Sequence, residues 1–448
     1  MKFLKFLWLS LTMILILIAC SDNDKNEVLD KHDPNKEIMI SGFFPDSGYI
    51  ASQVIIEGSN FGSDTSQVRL YFNEKRATII NAQGNKLYAL TPRLPGDTCT
   101  LKLVIGQKEA IADQEFRYKT QMNVSTIAGS RGANDGHFLE GSLATAAFGN
   151  IRGTVADSYG NIFVSMYGTG TPGVARVDTK GNAVTWVTDA SNYIEAWNSP
   201  TKNPVSNVIY FPSNTGAMVL ELNPLNLWTP RIRNIKAPSK EQIEGGMYDA
   251  DPLDFNRMHS LAYNPADGKL YTRTYQGGIG RIEPVTYVGE ILGGKGAILD
   301  RIIDVDSYVA IDHNDPDWLY ISYFQKNCIR RVNIKTFEWE DYVGMETGAG
   351  SWRDGVGKDA EFNQPRCIIF DNESNMYIAD MGNQCIRKVT KEKVVSTITG
   401  IPQSWGTADG PPELAQFDNP FGIDIDHEGN IYIGEAANNR MIRKLTME

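Results

Sequence analysis

The sequence predicts an all-β protein in which a small immunoglobulin-like sandwich precedes a six-bladed β-propeller. Its 448 residues exceed the size at which a single hydrophobic core stops growing, so two domains are expected. Its 41 glycines separate many short apolar runs, as tight turns between strands require. A related segment also recurs several times in the C-terminal two thirds of the chain, which is the pattern of a repeat architecture.

The first twenty residues have the features of an export signal. Two lysines precede a largely apolar run at 6–19, which is shorter than the ~20 residues that a transmembrane helix needs. The run ends in Leu-Ile-Ala-Cys at 17–20, and this ending resembles the lipobox of bacterial lipoproteins. The resemblance implies cleavage before Cys20 and lipidation of its thiol. The alternative is an ordinary buried cysteine in an uncleaved anchor.

The sequence Ser-Asp-Asn-Asp at 21–24 resembles the acidic lipoprotein export signal of Bacteroidota. The resemblance implies a lipid-anchored protein of the outer membrane that faces the cell exterior and touches the membrane through its lipid alone. The alternative is a plain polar tether. Residues 21–36 are polar throughout and are expected to form a flexible stalk.

Short alternating strands and turn residues fill 37–119, as in an antiparallel sandwich. The Gly-Ser-Asn-Phe-Gly element at 58–62, Pro92 and the closing Phe-Arg-Tyr at 116–118 resemble the IPT/TIG immunoglobulin-like domain. In relatives this domain is commonly a spacer, and the segment contains no group of residues suited to chemistry.

Three segments of the C-terminal part align without gaps. In each, a phenylalanine precedes by thirteen residues the asparagine that opens a second apolar strand: Phe148 and Asn161, Phe362 and Asn375, Phe417 and Asn430. An Asp-x-x-x-Asn turn separates the two strands, and a basic amphipathic strand follows. These units resemble NHL repeats, which implies sheets stacked as blades around an axis.

Looser copies at 205–222, 259–282 and 308–334 bring the blades to six within 122–448. Residues 123–129 resemble the fourth strand at 394–400, so the opening strand is expected to complete the last blade and close the ring. A seventh blade within 225–258 is the alternative.

Several function classes are disfavoured by composition. The net charge of -11 repels phosphate backbones, so no nucleic-acid partner is expected. Four cysteines remain after Cys20, none at metal-ligand spacing, and the five histidines cannot assemble a three-histidine zinc site at the channel mouth. No serine or cysteine lies in a recognisable nucleophile motif. The sequence therefore assigns no metal, no cofactor and no catalytic residue.

Candidate ligand-binding residues lie in the loops that share one face of the predicted ring. Aromatic rings stack on the C–H faces of sugars, and carboxylates, amides and arginines bond hydroxyls, so such loops suit a carbohydrate. The alternative is that these rings fill gaps between blades. The candidates are Trp352, Arg353, Trp405, Tyr275 and Tyr323 with Asp380, Asn383, Glu435 and Asn438, and from the irregular middle Trp197, Trp228 and Tyr248.

A second group is expected to face the central channel from the beginning of each inner strand. Clustered arginines there could bind a carboxylate or a sulfate. The alternative is salt bridges to acids of neighbouring blades. The aligned positions are Arg152, Tyr193, His259, Ser307, Arg366 and Phe421.

The architecture resembles the accessory binding proteins of SusC/SusD-like uptake systems. The resemblance implies a non-catalytic surface lipoprotein that holds a polysaccharide or oligosaccharide for a TonB-dependent transporter, with a glycan and the transporter complex as partners. A lyase or hydrolase acting on an acidic glycan, with His259 as base, is one alternative. A protein-interaction scaffold is another. A cluster of His, Tyr and Arg at the channel mouth favours the enzyme, and a shallow aromatic strip favours glycan binding.

Overall fold

The computed structural model describes residues 31–93, 96–129, 137–167, 172–188, 196–245, 247, 255–293, 300, 302, 305–436 and 438–447. The chain forms two compact units that divide after Thr120. Both are built almost entirely of strands, and no helix of the described segments is long and apolar enough to cross a membrane. The predicted signal at 1–20, with Cys20, lies outside the described residues.

The first unit is an immunoglobulin-like sandwich of two sheets. Its strands are β1 (Met39–Phe44), β2 (Ser47–Gly48), β3 (Gln53–Gly62), β4 (Val68–Phe72), β5 (Lys75–Arg76), β6 (Thr78–Leu90), β7 (Thr98–Ile105) and β8 (Lys108–Tyr118). One sheet has the order β1-β3-β6 and the other β2-β8-β7-β4-β5. In β7 every second side chain, from Cys99 to Ile105, is buried. This period of two places one face of each strand in the core between the sheets.

Asn60, in the Gly-Ser-Asn-Phe-Gly element, ties the residues before the sandwich to the sandwich. Its backbone is left-handed (φ 63°), a conformation that asparagine tolerates better than most residues. Its amide nitrogen donates to the carbonyl oxygens of Asp33 and Lys36, both at 2.9 Å. The end of the predicted flexible stalk is therefore fixed on the domain, which corrects the expectation for these residues. Residues 21–30 lie outside the described residues.

The second unit is a six-bladed β-propeller. Blade 1 contains β10 (Asn150–Ala156), β11 (Asn161–Tyr167), β12 (Gly173–Asp178) and β13 (Ala183–Thr188). Blade 2 contains β14 (Thr201–Lys202), β15 (Ile209–Pro212), β16 (Met218–Leu222) and β17 (Arg231–Asn234). Blade 3 contains β18 (Ala262–Tyr263), β19 (Leu270–Arg273), β20 (Ile279–Ile282) and β21 (Gly289–Ile291).

The remaining blades complete the ring. Blade 4 contains β22 (Ser307–Asp312), β23 (Asp315–Tyr323), β24 (Cys328–Asn333) and β25 (Trp339–Val343). Blade 5 contains β27 (Pro365–Phe370), β28 (Met376–Asp380), β29 (Cys385–Val389), β30 (Val394–Thr399) and, at its outer edge, β26 (Gly355–Val356). Blade 6 contains β31 (Pro420–Ile425), β32 (Ile431–Glu435), β33 (Ile442–Met447) and β9 (Met122–Ala128).

The ring closes through β9, the first strand of the unit. It pairs antiparallel with β33, the last strand, with Thr126 opposite Arg443 and Val124 opposite Leu445. The predicted closure is confirmed. Because β9 pairs with β33, the backbone groups of β33 on that side are hydrogen-bonded instead of forming an open sheet edge. The predicted alternative of a seventh blade at 225–258 is wrong for the described part of that segment. It contains the 3-10 turn Pro224–Asn226 at its start, then β17 and the short helix α1 (Lys240–Glu244).

The recurring Asp-x-x-x-Asn turn has a common hydrogen-bonding reason. In blade 1, Asp157 accepts from the backbone nitrogen and the side-chain amide of Asn161, at 2.8 and 2.7 Å. The same pair of bonds joins Asp371 to Asn375 in blade 5 and Asp426 to Asn430 in blade 6. Each aspartate thus closes the turn between the first two strands of its blade. This local bonding explains why the motif repeats in the sequence.

Candidate functional site

The segments leading into the inner strands and the loops between second and third strands lie on one face of the propeller, here called the upper face. Two predicted aromatics are exposed there. Trp405 is 70% exposed and Trp352 is 38% exposed. The indole nitrogen of Trp352 donates to the hydroxyl of Thr397 at 3.0 Å, which holds the ring in one orientation. Trp405 lies beside Phe417 in a short bridge that leads into blade 6.

Arg353 belongs to the same face, but its charge is already engaged. Its guanidinium lies 2.9 Å from the Glu361 carboxylate and donates to the carbonyl oxygen of Asp359 at 2.7 Å. Because these partners already accept hydrogen bonds from the guanidinium N–H donors, Arg353 is less available to a ligand than the sequence suggests.

Four of the predicted face residues are instead inside the blades. Tyr323 is fully buried, and its hydroxyl donates to the Asp300 carboxylate. Asp380 and Glu435 are also fully buried, and they bind Arg387 and Arg443 at 2.8 Å each. The expectation that these side chains line a binding face was wrong. Asp380 and Glu435 turn toward an arginine of the third strand of their blade, and Tyr323 turns toward Asp300. Asn383 is likewise buried and donates to Asp380 at 2.8 Å.

The remaining predicted aromatics also have structural surroundings. Trp197 is fully buried in the core between blades 1 and 2. Trp228 packs on Phe163 and lies under the guanidinium of Arg176, 4.8 Å from its ring centroid. Both fill gaps between strands, as the alternative reading of these residues proposes. Asn438 is exposed, and Tyr248 lies outside the described residues.

Four of the predicted channel residues do come together. Arg366 and Arg152 both face the ring of Phe421, with guanidinium carbons 4.5 and 5.5 Å from its centroid. His259 joins them through Asp306, which lies 3.2 Å from the imidazole Nε2 and 3.6 Å from Arg366. We call this group (Arg152, His259, Asp306, Arg366 and Phe421) the axial mouth. It draws residues from blades 1, 3, 4, 5 and 6.

Two other predicted channel positions do not join the axial mouth. The hydroxyl of Ser307 accepts a hydrogen bond from Arg273 at 3.2 Å inside the blade. Its neighbours on either side, Asp306 and Tyr308, face the channel instead, because successive side chains of a strand point in opposite directions. The predicted register was therefore wrong by one residue in blade 4. Tyr193 lies outside the described residues.

Aromatic rings surround the axial mouth. The hydroxyl of Tyr308 accepts from Arg366 at 2.8 Å, and its ring meets Phe421 edge-on at 5.5 Å. The guanidinium of Arg366 lies 3.4 Å from the centroid of Phe324, and that of Arg152 lies 4.8 Å from the centroid of Tyr167. The half-buried ring of Tyr275 lies 6.0 Å from His259. Sequence alignment missed Tyr167 and Phe324 because both lie at or just beyond the end of a second strand, outside the repeat signature.

The electrostatics of the axial mouth favour a neutral histidine. Burial lowers the pKa of His259 to about 4, and the cations of Arg366 and Arg152 act in the same direction while Asp306 opposes them. Since Nε2 faces the Asp306 carboxylate, it carries the proton of the neutral ring. Nδ1 then keeps a free lone pair, and this buried atom has no hydrogen-bond partner among the described residues.

The channel is closed just below the axial mouth. Ser199 of the segment entering blade 2 lies 3.0 Å, Oγ to Sγ, from Cys367 of blade 5, which stands on the opposite side of the ring. Gly153 and Gly422 at this level leave no room for a side chain, since a Cβ at either position would lie under 3.0 Å from its neighbours. The axial mouth is consequently a closed recess rather than the entrance of a pore.

A cavity of about 290 Å³ occupies the opposite end of the channel. Its lysine, Lys202, bonds the Asp424 carboxylate at 2.5 Å and the carbonyl oxygens of Ala156 and Ile425 at 2.8 and 3.2 Å. This cavity and the axial mouth are therefore at different ends of the channel. We place the candidate site at the axial mouth, because the charges of the lower cavity satisfy one another.

No group of three or more histidine, cysteine, aspartate or glutamate side chains suited to a metal ion is present within the described ranges. The four cysteines of that part of the chain are buried and form no disulfide bond with one another. Burial raises the pKa of Cys367 to about 11, so its thiol stays protonated and is a poor nucleophile.

Comparison with known proteins identifies the first unit. Residues 39–119 match the IPT/TIG domain family. A curated relative, the protein SUPPRESSOR OF QUENCHING 1, chloroplastic, of Arabidopsis thaliana, is 30% identical over 135 residues. That stretch covers 29% of this chain, and the chain spans only 13% of the relative's length.

Solved structures resemble nearly the whole chain. A structural genomics protein of unknown function from Bacteroides thetaiotaomicron VPI-5482 has 25% identity and a TM-score of 0.78, covering 93% of this chain and 100% of that chain. Auxiliary nutrient binding proteins from B. thetaiotaomicron VPI-5482 and Bacteroides ovatus ATCC 8483 each have 21% identity and a TM-score of 0.58. They cover 94% and 93% of this chain and 100% of their own. The protein thus combines an IPT/TIG domain with a β-propeller, and these solved structures resemble it in fold.

Proposed function

We propose that this protein is a cell-surface lipoprotein that binds a polysaccharide or oligosaccharide for a TonB-dependent uptake system and leaves it chemically unchanged. The observation that carries the proposal is the axial mouth, a closed recess in which unpaired polar groups are ringed by aromatic side chains. The lipobox-like residues at 17–20 support it, and so does the description of two structural neighbours as auxiliary nutrient binding proteins. The NHL character of the repeats is part of the same proposal.

The chemistry of the axial mouth suits a sugar. Aromatic rings such as Tyr275 and Tyr167 offer flat faces to the C–H groups of a pyranose, and each such stacking contact contributes on the order of 1 kcal/mol. The guanidinium of Arg152 and Nδ1 of His259 offer a donor and an acceptor for ring hydroxyls. Because the floor at Ser199 and Cys367 is closed, a sugar enters only from the upper face.

A lyase acting on an acidic glycan is the second candidate. The convergence of His259, Tyr308 and Arg366 favours it, since proton abstraction beside a carboxylate needs a base and a cation at one point. Against it, a histidine with a pKa of about 4 is a weak base at neutral pH. We therefore rank binding above catalysis.

The two candidates are separated by one experiment. The chain without residues 1–20 is screened on a glycan array, and each bound glycan is then incubated with the protein and followed for unsaturated or reducing-end products. Binding without product supports the proposal. Time-dependent product that disappears in His259→Ala would establish the lyase instead, and His137→Ala is the matched control because His137 lies outside the axial mouth.

The anchor has its own test. Cys20→Ala is expected to abolish incorporation of a palmitate analogue, because the thiol is the proposed acceptor of the lipid. Cys99→Ala, which removes a buried cysteine of the sandwich, is the control and should retain the label. Label retained in Cys20→Ala would contradict the lipoprotein assignment.

A further inference from the structure

We propose that the axial mouth recognises the carboxylate of an acidic sugar at the end of a glycan chain, with Arg152 and Arg366 as its two cationic contacts. The inference rests on the proposed glycan-binding function and adds the class of sugar and the way it is presented. Three observations carry it: an excess of positive charge, unpartnered nitrogen atoms, and a closed floor.

The charges of the axial mouth do not balance. It contains two guanidinium groups, a neutral histidine and one carboxylate, that of Asp306. Arg366 lies 3.6 Å from Asp306, which is long for a charge-assisted hydrogen bond. Arg152 has no carboxylate partner among the described residues, and its guanidinium rests only on the rings of Tyr167 and Phe421. Among the described residues one positive charge is therefore left over, and one carboxylate of a ligand would neutralise it.

Unpartnered nitrogen atoms occur on both arginines. The Nε atoms of Arg152 and Arg366 are buried and donate to no acceptor in the part of the chain that the structure describes. The Nε atoms of Arg387 and Arg443 are also without an acceptor there, but those two guanidiniums each have two carboxylate partners, which the arginines of the axial mouth do not. An unmet N–H donor in a buried place costs stability, so native structures keep such groups where a ligand or water completes them. A carboxylate accepts two parallel N–H bonds from one guanidinium, so it could take up the unpartnered Nε donor together with a neighbouring N–H of the same arginine.

Aromatic surroundings distinguish a sugar acid from a free anion. The rings of Tyr167 and Phe324 lie on the two guanidiniums, and the ring of Tyr275 lies beside His259. These rings offer apolar contact that an inorganic ion cannot use. A third arginine, the exposed Arg257, lies 5.1 Å from the ring centroid of Tyr275. It extends the positive potential to the rim of the recess, where it attracts acidic chains.

The closed floor decides how the sugar is presented. The contact between Ser199 and Cys367 spans the axis directly beneath the arginines, so a polymer cannot thread through the ring. A sugar that reaches Arg152 and Arg366 must therefore be the end of its chain or a residue that protrudes as a branch. Trp352 and Trp405, exposed elsewhere on the upper face, remain available to the sugars that follow.

The test is calorimetric titration of the chain without residues 1–20 with trisaccharides of galacturonate, glucuronate and mannuronate. Each is compared with the same trisaccharide after its carboxylates are reduced to alcohols. We expect at least one acid to bind tenfold or more tightly than its reduced partner. Arg152→Met should remove most of that difference, and Arg152→Lys should restore part of it. Arg117→Met, which removes an exposed positive charge from the sandwich, should leave both affinities unchanged.

A structural role for Arg152 is distinguished by the unliganded protein. Because Arg152 forms no ion pair among the described residues, Arg152→Met should unfold at the same temperature as the wild type or a higher one. A melting temperature lowered by several degrees would overturn the inference. So would a sulfated trisaccharide that binds as tightly as the best uronate. Binding of neutral glycans but of no acid would leave the proposed function standing and overturn the inference, and absence of all glycan binding would overturn both.

Discussion

The arginines inside blades 5 and 6 and the arginines of the axial mouth are the same residue type in two electrostatic settings. Arg387 lies 2.8 Å from both Asp380 and Asp354, and Arg443 lies 2.8 Å from Glu435 and 2.6 Å from Asp409. Each is completely buried and also donates to backbone carbonyl oxygens. Their guanidiniums also lie on aromatic rings, those of Phe362 and Phe417, as the guanidiniums of the axial mouth do. The difference in the axial mouth is the ion pairing, which is incomplete among the described residues. The first set holds the blades together, and the second set is the one that we propose binds a ligand.

Burial alone does not distinguish the two settings. Arg366 is about as inaccessible as Arg387, yet its nearest carboxylate oxygen is 3.6 Å away. Burial raises the pKa of Asp380 to about 6, so proximity to Arg387 is what keeps this carboxylate charged. The number of carboxylates that contact each arginine is therefore the feature that separates a structural ion pair from the proposed binding group. Four experiments test this distinction.

The largest expected effect comes from removing β9, which supports the Arg443 pair as well as the last blade. Thr126 of β9 donates to Asp409 at 3.0 Å, and Asp409 binds Arg443. A chain that begins at residue 130 should unfold or aggregate, because β33 loses its neighbour and Arg443 loses an organised partner. A chain that begins at residue 120 keeps β9 and should fold. Equal melting temperatures for the two chains would contradict closure through β9.

Asp380→Ala is expected to lower the free energy of unfolding by about 3–5 kcal/mol, since it leaves the Arg387 charge buried without its innermost partner. Urea unfolding at neutral pH measures the change. Asp354→Ala removes the other partner of Arg387. The side chain of Asp354 is 41% exposed. Water replaces it there, so a loss of about 1 kcal/mol or less is expected. Similar losses of unfolding free energy for both variants would show that the burial of the carboxylate does not determine how much its removal destabilises the protein.

The histidine of the axial mouth predicts a pH dependence of stability. Its pKa falls from 6.5 to about 4 on folding, so the unfolded chain binds this proton first as the pH drops. Stability attributable to His259 is complete above pH 6.5 and is lost between pH 6.5 and about 4, by on the order of 3 kcal/mol. The difference in urea stability between the wild type and His259→Asn should show this fall. A difference that is constant across the window would mean that His259 titrates normally.

The smallest effect is expected at the rim of the upper face. Trp405→Ala should leave the melting temperature nearly unchanged, because the ring is 70% exposed. If the glycan extends from the axial mouth across this ring, affinity should fall several-fold, equivalent to about 1 kcal/mol. Leu414→Ala removes another exposed apolar side chain of the segment leading into blade 6 and is the control. A loss of stability rather than affinity would assign Trp405 to packing between blades.

Local patterns in the sequence determined the fold. The Asp-x-x-x-Asn turn is held by bonds between residues four apart, as between Asp157 and Asn161, so it can be recognised without knowledge of the fold. The likeness of residues 123–129 to a fourth strand predicted the closure that the β9 and β33 pairing confirms. Alignment of the repeats also placed Arg152, His259 and Arg366 at the start of inner strands, where the structure finds them in one cluster.

Only the tertiary structure decided which polar groups are paired. Asp380 and Glu435 are the last residues of their strands, so the sequence predicts that they lie at the surface. The twist of each blade instead turns each of them onto an arginine of the next strand. A shift of one residue in blade 4 puts Asp306 and Tyr308, rather than Ser307, beside His259. Repeat periodicity specifies strands and turns because they depend on near neighbours. Charge balance in the axial mouth depends on side chains from five blades, which meet only when the ring has closed.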